Sequence, residues 1–199
     1  MTQITPQKDM PPALDQLHDL IAKAKRAGAE AADALLVDAS ALSVSWRGGK
    51  LETLENAESG DLDLRVLIGK KQAIVSTSDR RPKSLDELVE RVVAMAKAAP
   101  EDEFCGLAAP DEIATSWPPL EMADDYDVTA NALIEKARQA EDAALAVKGI
   151  SQCESADASA GQATIVLAAS NGFKGHYRRT SYGLSVSTLA GEGTAMERD

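Results

Sequence analysis

Histidine and cysteine, which often bind metals or act as bases and nucleophiles, are scarce in this sequence. Histidine occurs only as His18 and His176, so a motif such as HExxH, which needs two neighbouring histidines, is excluded. Cys105 and Cys153 stand alone, without the CxxC or Cys/His spacing of a zinc site or a disulfide framework. We expect His18 to be half-buried on a helix, His176 to lie in a loop, and both thiols to be reduced and unreactive.

Three glycine-containing patterns approach known motifs without completing them. Gly191-x-Gly193 begins a dinucleotide fingerprint, but Met196 stands where the third glycine is required. Gly69-Lys70 lacks the upstream glycine and the following serine or threonine of a phosphate-binding loop. Gly183-Leu184-Ser185-Val186-Ser187 is one residue short of a nucleophile elbow and lies in a strand pattern. The sequence therefore predicts no catalytic residue in this chain.

A cluster of aspartates is the one remaining candidate for a metal site. Asp124-Asp125-x-Asp127 offers carboxylates to a hard cation but lacks the glycine and the distal glutamate of a calcium loop. Asp127 or Thr129 is well placed to cap the helix that follows, and we favour this capping role. We predict no metal ligand in this chain.

A basic and aromatic segment is the best candidate for recognition. Residues 171–179 combine an Asn-Gly turn, two aromatic side chains and several positive charges, whereas the whole chain has a net charge of −11. Loop residues of this kind often bind partners. We predict that Asn171, Phe173, Tyr177 and Arg178 bind a peptide or a partner subunit, and the alternative is a solvated hairpin tip.

The elements that position these residues follow from periodicity and turn signals. In the first hundred residues we predict two helices. The first covers 13–27. The second begins at a Ser84-x-x-Glu87 capping box, carries an apolar stripe that includes Met95, and stops at Pro100. Between them we predict an antiparallel meander with strands over 42–47, 51–58, 62–68 and 73–78. Arg65 is expected to pair with Asp63 on the same strand face.

A connector divides the chain into two predicted units. Residues 98–127 contain nine acidic residues, no Lys or Arg and four of the eight prolines, which is typical of a linker or a surface-hugging loop. After it we predict a helix over 129–147 and strands over 151–160, 164–169 and 180–189, with a turn at Asn171-Gly172. The predicted fold class is α+β, with antiparallel sheets packed against helices. The predicted domains are 1–100, the connector 101–127, and 128–199, a second unit that we expect to be incomplete.

Charge and hydropathy exclude several classes of function. The 21 basic and 32 acidic residues give a negative charge that repels phosphate backbones and anionic lipids. No apolar stretch resembles a signal peptide or is long enough to span a bilayer. We expect a cytoplasmic chain that binds neither nucleic acid nor membrane.

Several segments, taken in order, resemble a known family. They are Leu42–Glu52 with its Ser-Trp-Arg-Gly-Gly-Lys core, Gly60-x-Leu62-x-Leu64-Arg65-Val66-x-x-Gly69-Lys70, Ser76-Thr77-Ser78-Asp79, and Ala169-Ser170-Asn171-Gly172-Phe173. Together they are similar to the N-terminal half of the TldD/PmbA family, often labelled modulator of DNA gyrase. The Ser-Asn-Gly-Phe turn resembles the PmbA (TldE) branch more closely than the TldD branch.

The resemblance implies a subunit of a cytosolic metallopeptidase system that acts on unfolded peptides. In this family a TldD-type partner carries the zinc motif, so the resemblance implies a heterodimer in which this chain holds no cofactor and is not active alone. We expect partnership with a TldD-type subunit, self-association, or both. The alternative hypothesis is a non-enzymatic assembly module that pairs with another chain through an exposed sheet edge.

Overall fold

The computed structural model describes residues 11–116, 118, 120–125 and 127–199. Three helices and six strands make an α+β fold, which confirms the predicted class. In chain order the elements are α1 Pro11–Arg26, β1 Ala31–Arg47, β2 Lys50–Ile68, β3 Lys71–Thr77, α2 Pro82–Ala98, a 3-10 turn Pro110–Glu112, α3 Ala130–Leu145, β4 Ile150–Ala169, β5 Lys174–Glu192 and β6 Ala195–Arg198.

All six strands belong to one antiparallel sheet with the order β3-β2-β1-β4-β5-β6. The first predicted unit contributes β1, β2 and β3, and the second contributes β4, β5 and β6. The two groups of strands meet where β1 pairs with β4, from Asp33 opposite Ala169 to Trp46 opposite Ala156. Whether the two predicted units fold separately stays a prediction, but their strands share one hydrogen-bonded ladder.

The strands are longer than predicted. β1 begins at Ala31 instead of Leu42, and β2 joins two predicted strands through Gly60. β4 likewise joins two predicted strands through Gly161, and β5 begins at Lys174. Glycine weakens an isolated strand, but here the register continues without a shift through both glycines, because Gly60 pairs with β1 and Gly161 pairs with β1 and β5.

All three helices pack on the same face of the sheet. Side chains alternate between faces along a strand, and the buried β1 residues Ala32, Ala34, Leu36, Leu42 and Val44 share one parity. The first three belong to a core with α1 and α2, whereas the last two belong to a core with α3. Among the described residues no helix is long and apolar enough to cross a membrane.

The start of α2 corrects two predictions. The helix begins at Pro82, and Ser84 does not form the predicted capping box. Instead, Ser84 Oγ donates to Asp79 Oδ2 at 2.7 Å, and the Arg81 amide donates to Asp79 Oδ1 at 3.0 Å. Proline fixes the backbone at the first helical position and needs no capping acceptor for its own nitrogen. Met95 is 47% exposed and lies outside the buried stripe.

The start of α3 matches its prediction. Thr129 is the N-cap, and its Oγ1 accepts a hydrogen bond from the Ala132 amide at 3.2 Å. Capping by Thr129 was one of the two predicted options for this helix.

A buried carboxylate attaches the first hairpin to α3. Glu141 is 3% exposed and accepts hydrogen bonds from Trp46 Nε1 at 2.9 Å, from the Gly48 amide at 2.7 Å and from the Gly49 amide at 2.9 Å. Gly48 and Gly49 both have positive φ, which forms the tight β1–β2 turn. The carboxylate therefore holds the turn against the helix with three N–H donors.

Two ion pairs connect strands to their neighbours. Arg65 pairs with Asp33, directly opposite on β1, with its Nε 3.1 Å from both carboxylate oxygens. The predicted Asp63 partner is wrong because the cross-strand neighbour lies closer than a residue two positions along the same strand. Arg80 pairs with Asp38, which lies opposite Gly60 in the β1–β2 ladder. A Cβ on Gly60 would lie 2.6 Å from Arg80 Nη2.

Candidate functional site

The face of the sheet opposite the helices carries the candidate site. The β1 residues Leu35 and Val37 point to this face because they alternate with the buried helix-facing residues. Their β4 partners are Leu167 and Ile165, and Tyr177 of β5 lies opposite Ile165. These cross-strand neighbours form a continuous apolar surface.

The apolar surface is the floor of a groove of about 1040 Å³. The floor and rim come from β1, β4, β5 and the β4–β5 turn, with Leu35, Val37, Ala163, Ile165, Leu167, Phe173, Gly175, His176, Tyr177, Arg178 and Arg179. Drug-sized ligands occupy pockets of about 300–1,000 Å³, so this groove has room for an extended ligand.

Part of the acidic connector forms the outer wall of the groove. We call residues 118 and 120–125 the strap, and its Pro118, Leu120, Met122 and Ala123 line the groove. The Thr180 amide of β5 donates to the Met122 carbonyl oxygen at 3.0 Å, and the Asp124 amide donates to Thr180 Oγ1 at 2.9 Å. The strap thus binds the outer edge of β5 through main-chain groups.

Charge also holds the strap in place. Arg178 of β5 forms an ion pair with Asp125 of the strap. The Arg178 side chain is 26% exposed, whereas the Asp125 side chain is 89% exposed and therefore well hydrated. Arg179 is exposed and also lines the groove. The groove combines an apolar floor with a positive rim in a chain whose net charge is −11.

Three of the four predicted binding residues line this groove. Phe173, Tyr177 and Arg178 lie in its wall, and their binding role stays a prediction. Asn171 has a different position: its Nδ2 donates to the Ala108 carbonyl oxygen at 3.0 Å, and its Oδ1 accepts from the Phe173 amide at 3.2 Å. Asn171 therefore shapes the turn and attaches the connector to it.

The structure corrects the predicted surroundings of both histidines. His176 lies in β5 rather than in a loop, and it is one of the groove residues. His18 is exposed on α1 rather than half-buried. His18 is exposed because Leu17 and Ile21 occupy the face of α1 that packs on the core, and His18 lies on the solvent side of the helix.

Sequence reasoning missed the groove floor and the strap. Leu35 and Val37 lie in a stretch rich in alanine, and the alternation there is the signal that would have identified a strand. Leu120 and Met122 stand two positions apart, which is the spacing at which extended-chain residues share a face. The pair lies in a proline-rich segment that the sequence indicated only as a connector.

Among the described residues, no group of three or more His, Cys, Asp or Glu side chains is arranged to hold a metal ion. In the aspartate cluster, Asp125 is paired with Arg178. That the zinc of the system lies on a TldD-type partner stays a prediction.

Comparison with known proteins gives consistent matches. Residues 32–96 match a family model described as PmbA/TldA metallopeptidase domain 1, and residues 123–199 match one described as PmbA/TldA metallopeptidase central domain. A metalloprotease PmbA homolog of Haemophilus influenzae is 33% identical over 177 residues, which are 88% of this chain and 39% of the relative. Metalloprotease PmbA of Escherichia coli O157:H7 is 29% identical over 90% of this chain and 39% of its own length.

Solved structures show the same fold. A Bacteroides thetaiotaomicron protein described as a modulator of DNA gyrase has a TM-score of 0.85 and 23% identity over 95% of this chain and 44% of its own. TldE from Thermococcus kodakarensis has a TM-score of 0.74 and 13% identity over 91% of this chain and 40% of its own. This chain thus spans well under half the length of the relatives that it matches. With two family models that cover most of its residues, the chain belongs to the TldD/PmbA family.

Proposed function

We propose that this chain is part of a PmbA/TldE-like subunit of a cytosolic TldD/TldE-type metallopeptidase system that acts on unfolded peptides. A TldD-type partner subunit carries the zinc ion, and this chain is non-catalytic in itself. The family membership and the relatives called metalloprotease PmbA support this assignment. The contribution of this chain is to receive the peptide and to present it to the partner.

The groove of about 1040 Å³ is the observation that carries this proposal. Unfolded peptides expose the apolar side chains that folded proteins bury, and an apolar floor of Val37, Ile165 and Leu167 suits such side chains. The edge of β5 offers main-chain hydrogen bonds, as the contact between Thr180 and Met122 illustrates. Main-chain pairing binds extended peptides of many sequences.

Reconstitution with a TldD-type subunit tests the proposed function. Bound zinc and hydrolysis of a fluorogenic unfolded peptide are measured for this chain alone, for the TldD-type subunit alone and for their mixture. We expect zinc to follow the TldD-type subunit and hydrolysis to increase in the mixture. Zinc-dependent hydrolysis by this chain alone, or a mixture no faster than the TldD-type subunit, would contradict the proposal.

A pair of tyrosines in β5 provides a matched control. Tyr177 lines the groove and is 45% exposed, whereas Tyr182 is 51% exposed and lies five residues further along the same strand, on the opposite face. An aromatic contact contributes about 1 kcal/mol, so Tyr177→Ala should raise the KM of the mixture for the peptide about fivefold. Tyr182→Ala should leave this KM unchanged, and equal effects of the two variants would argue against the groove.

The sheet edge favours a second candidate function, an assembly module. Residues 181–187 of β5 lie between Thr180, which bonds to the strap, and Thr188, which bonds to Asp199. They contain no charged residue, and Leu184 and Val186 are 58% and 39% exposed. The part of β2 that β3 does not cover, residues 50–61, carries five charged residues, and such charges protect an edge from pairing. If the chain self-associates through β5, Leu184→Lys will convert it to a monomer in sedimentation experiments. Sedimentation as a monomer before the substitution would refute self-association through this edge.

A further inference from the structure

The strap lies along the outer edge of β5 and makes the three kinds of contact that an extended peptide uses. Its main chain pairs with the β5 edge through Met122 and Thr180. Its apolar side chains Leu120 and Met122 line the groove. Its carboxylate on Asp125 pairs with Arg178. The structure therefore contains an internal example of peptide recognition by this site.

The strap is held loosely for a segment that forms one wall of a binding groove. Leu120 is 65% exposed and Met122 is 38% exposed, so neither side chain is fully seated. The Asp125 side chain is 89% exposed, and exposed ion pairs add little to stability. Segments with few buried contacts open at a low free-energy cost, so another peptide can compete for the same position.

We propose that the groove binds extended peptides that carry two apolar side chains two positions apart and a carboxylate three residues after the second. This is the pattern of Leu120, Met122 and Asp125, and a peptide of this class takes the place of the strap beside β5, where it forms the same contacts and faces the same groove. The inference rests on the proposed function and specifies its substrate class. Arg178 is the residue that selects the carboxylate, because it already pairs with one across the groove.

A synthetic copy of the strap provides the probe. A fluorescein-labelled decapeptide with the sequence of residues 118–127 is titrated with the 199-residue chain, and fluorescence anisotropy gives Kd. When the strap covers the β5 edge, the apparent affinity for the probe falls in proportion to the fraction of molecules in which that edge is open. Asp125→Lys removes the exposed ion pair that holds the strap, so we expect this variant to bind the probe about threefold more tightly than the wild-type chain.

A charge exchange separates recognition from a merely structural role. Arg178→Glu also releases the strap, so the informative quantity is the preference between two probes. The wild-type chain should prefer the original probe, whereas Arg178→Glu should prefer a second probe with lysine in place of the Asp125 equivalent. Arg91→Glu makes the same change in net charge at an exposed position of α2, on the helical side of the sheet, and should show no such exchange. Circular dichroism confirms that each variant is folded.

Two results would overturn the inference. One is the absence of probe binding to the folded Asp125→Lys variant at millimolar concentration. The other is an Arg178→Glu variant that binds both probes as the wild-type chain does. Because these measurements need no partner subunit, their failure leaves the hydrolysis test of the proposed function unaffected. A chain that binds the probe but does not stimulate a TldD-type subunit would contradict only the proposed function.

Discussion

Replacement of Glu141 by alanine tests the attachment of the first hairpin to α3. The side chain is 3% exposed and accepts three hydrogen bonds, from Trp46 Nε1 and from the amides of Gly48 and Gly49. Alanine removes both acceptor oxygens, and with them all three hydrogen bonds. Trp46 is half-buried and the two glycines are exposed, so water can reach the freed N–H groups in part, but the charge-assisted bonds that join the turn to α3 are lost.

The size of the effect follows from the number of donors. A hydrogen bond to a charged group contributes about 1.5–3 kcal/mol, but water that enters the new space offsets part of the loss. We therefore expect Glu141→Ala to lower the free energy of unfolding by about 3–5 kcal/mol. For a chain of this size, each kcal/mol lowers Tm by about 2–4 °C, so Tm should fall by roughly 6–20 °C.

Urea denaturation followed by circular dichroism measures this change. Glu141→Gln keeps the shape of the side chain but turns an NH₂ group toward an N–H donor, and it should cost about 1–3 kcal/mol. The matched control is Asp142→Ala, since the neighbouring side chain is 60% exposed and should change the midpoint little. If Glu141→Ala shifts the midpoint no more than Asp142→Ala, the carboxylate does not hold the hairpin and the argument fails.

Three further predictions concern other sites. Hydrogen bonds, chiefly from Arg138, hold the pKa of Glu135 at about 2. Arg138→Ala should raise this pKa toward 4.5, which an NMR titration would measure. The stabilisation from the pair is present above pH 4.5 and is lost as the pH falls toward 2. Burial raises the pKa of the Cys153 thiol. At neutral pH, iodoacetamide should therefore label this thiol only as fast as the chain opens. Rapid labelling of the folded chain would refute the prediction. Gly60→Ala places a Cβ 2.6 Å from the Arg80 guanidinium. In urea denaturation this variant should lower the free energy of unfolding by about 1–3 kcal/mol. An unchanged free energy would mean that the Arg80 side chain moves aside freely.

Elements that depend on local signals could be predicted from the sequence. The Gly48-Gly49 turn, the Asn171-Gly172 turn and the Thr129 cap all follow from residue types at fixed positions. Strand length could not be predicted in the same way, since Gly60 and Gly161 interrupt the pattern locally but are held in register by neighbouring strands. Local propensity gives way to tertiary pairing at these positions.

The groove was only partly predictable for a related reason. Phe173, Tyr177 and Arg178 stand close together in the sequence, so their composition indicated a recognition segment. Leu35 and Met122 are far from them in the chain and join them only through the pairing of β1 with β4 and the path of the strap. The face of the sheet that the helices leave open depends on strand order, which short-range patterns do not specify.

The junction between β1 and β4 also constrains the order in which the chain acquires its structure. β1 can pair with β2, and β2 with β3, early in synthesis, but the other edge of β1 has no partner until β4 has been made. At about 5–20 residues per second, translation of the intervening segment takes on the order of ten seconds. During this interval the nascent β1 exposes an unpaired edge next to an apolar surface, the kind of transient exposure at which chaperones act. Contacts between distant parts of the chain also slow folding, so we expect β1–β4 pairing to be the late step in forming this sheet.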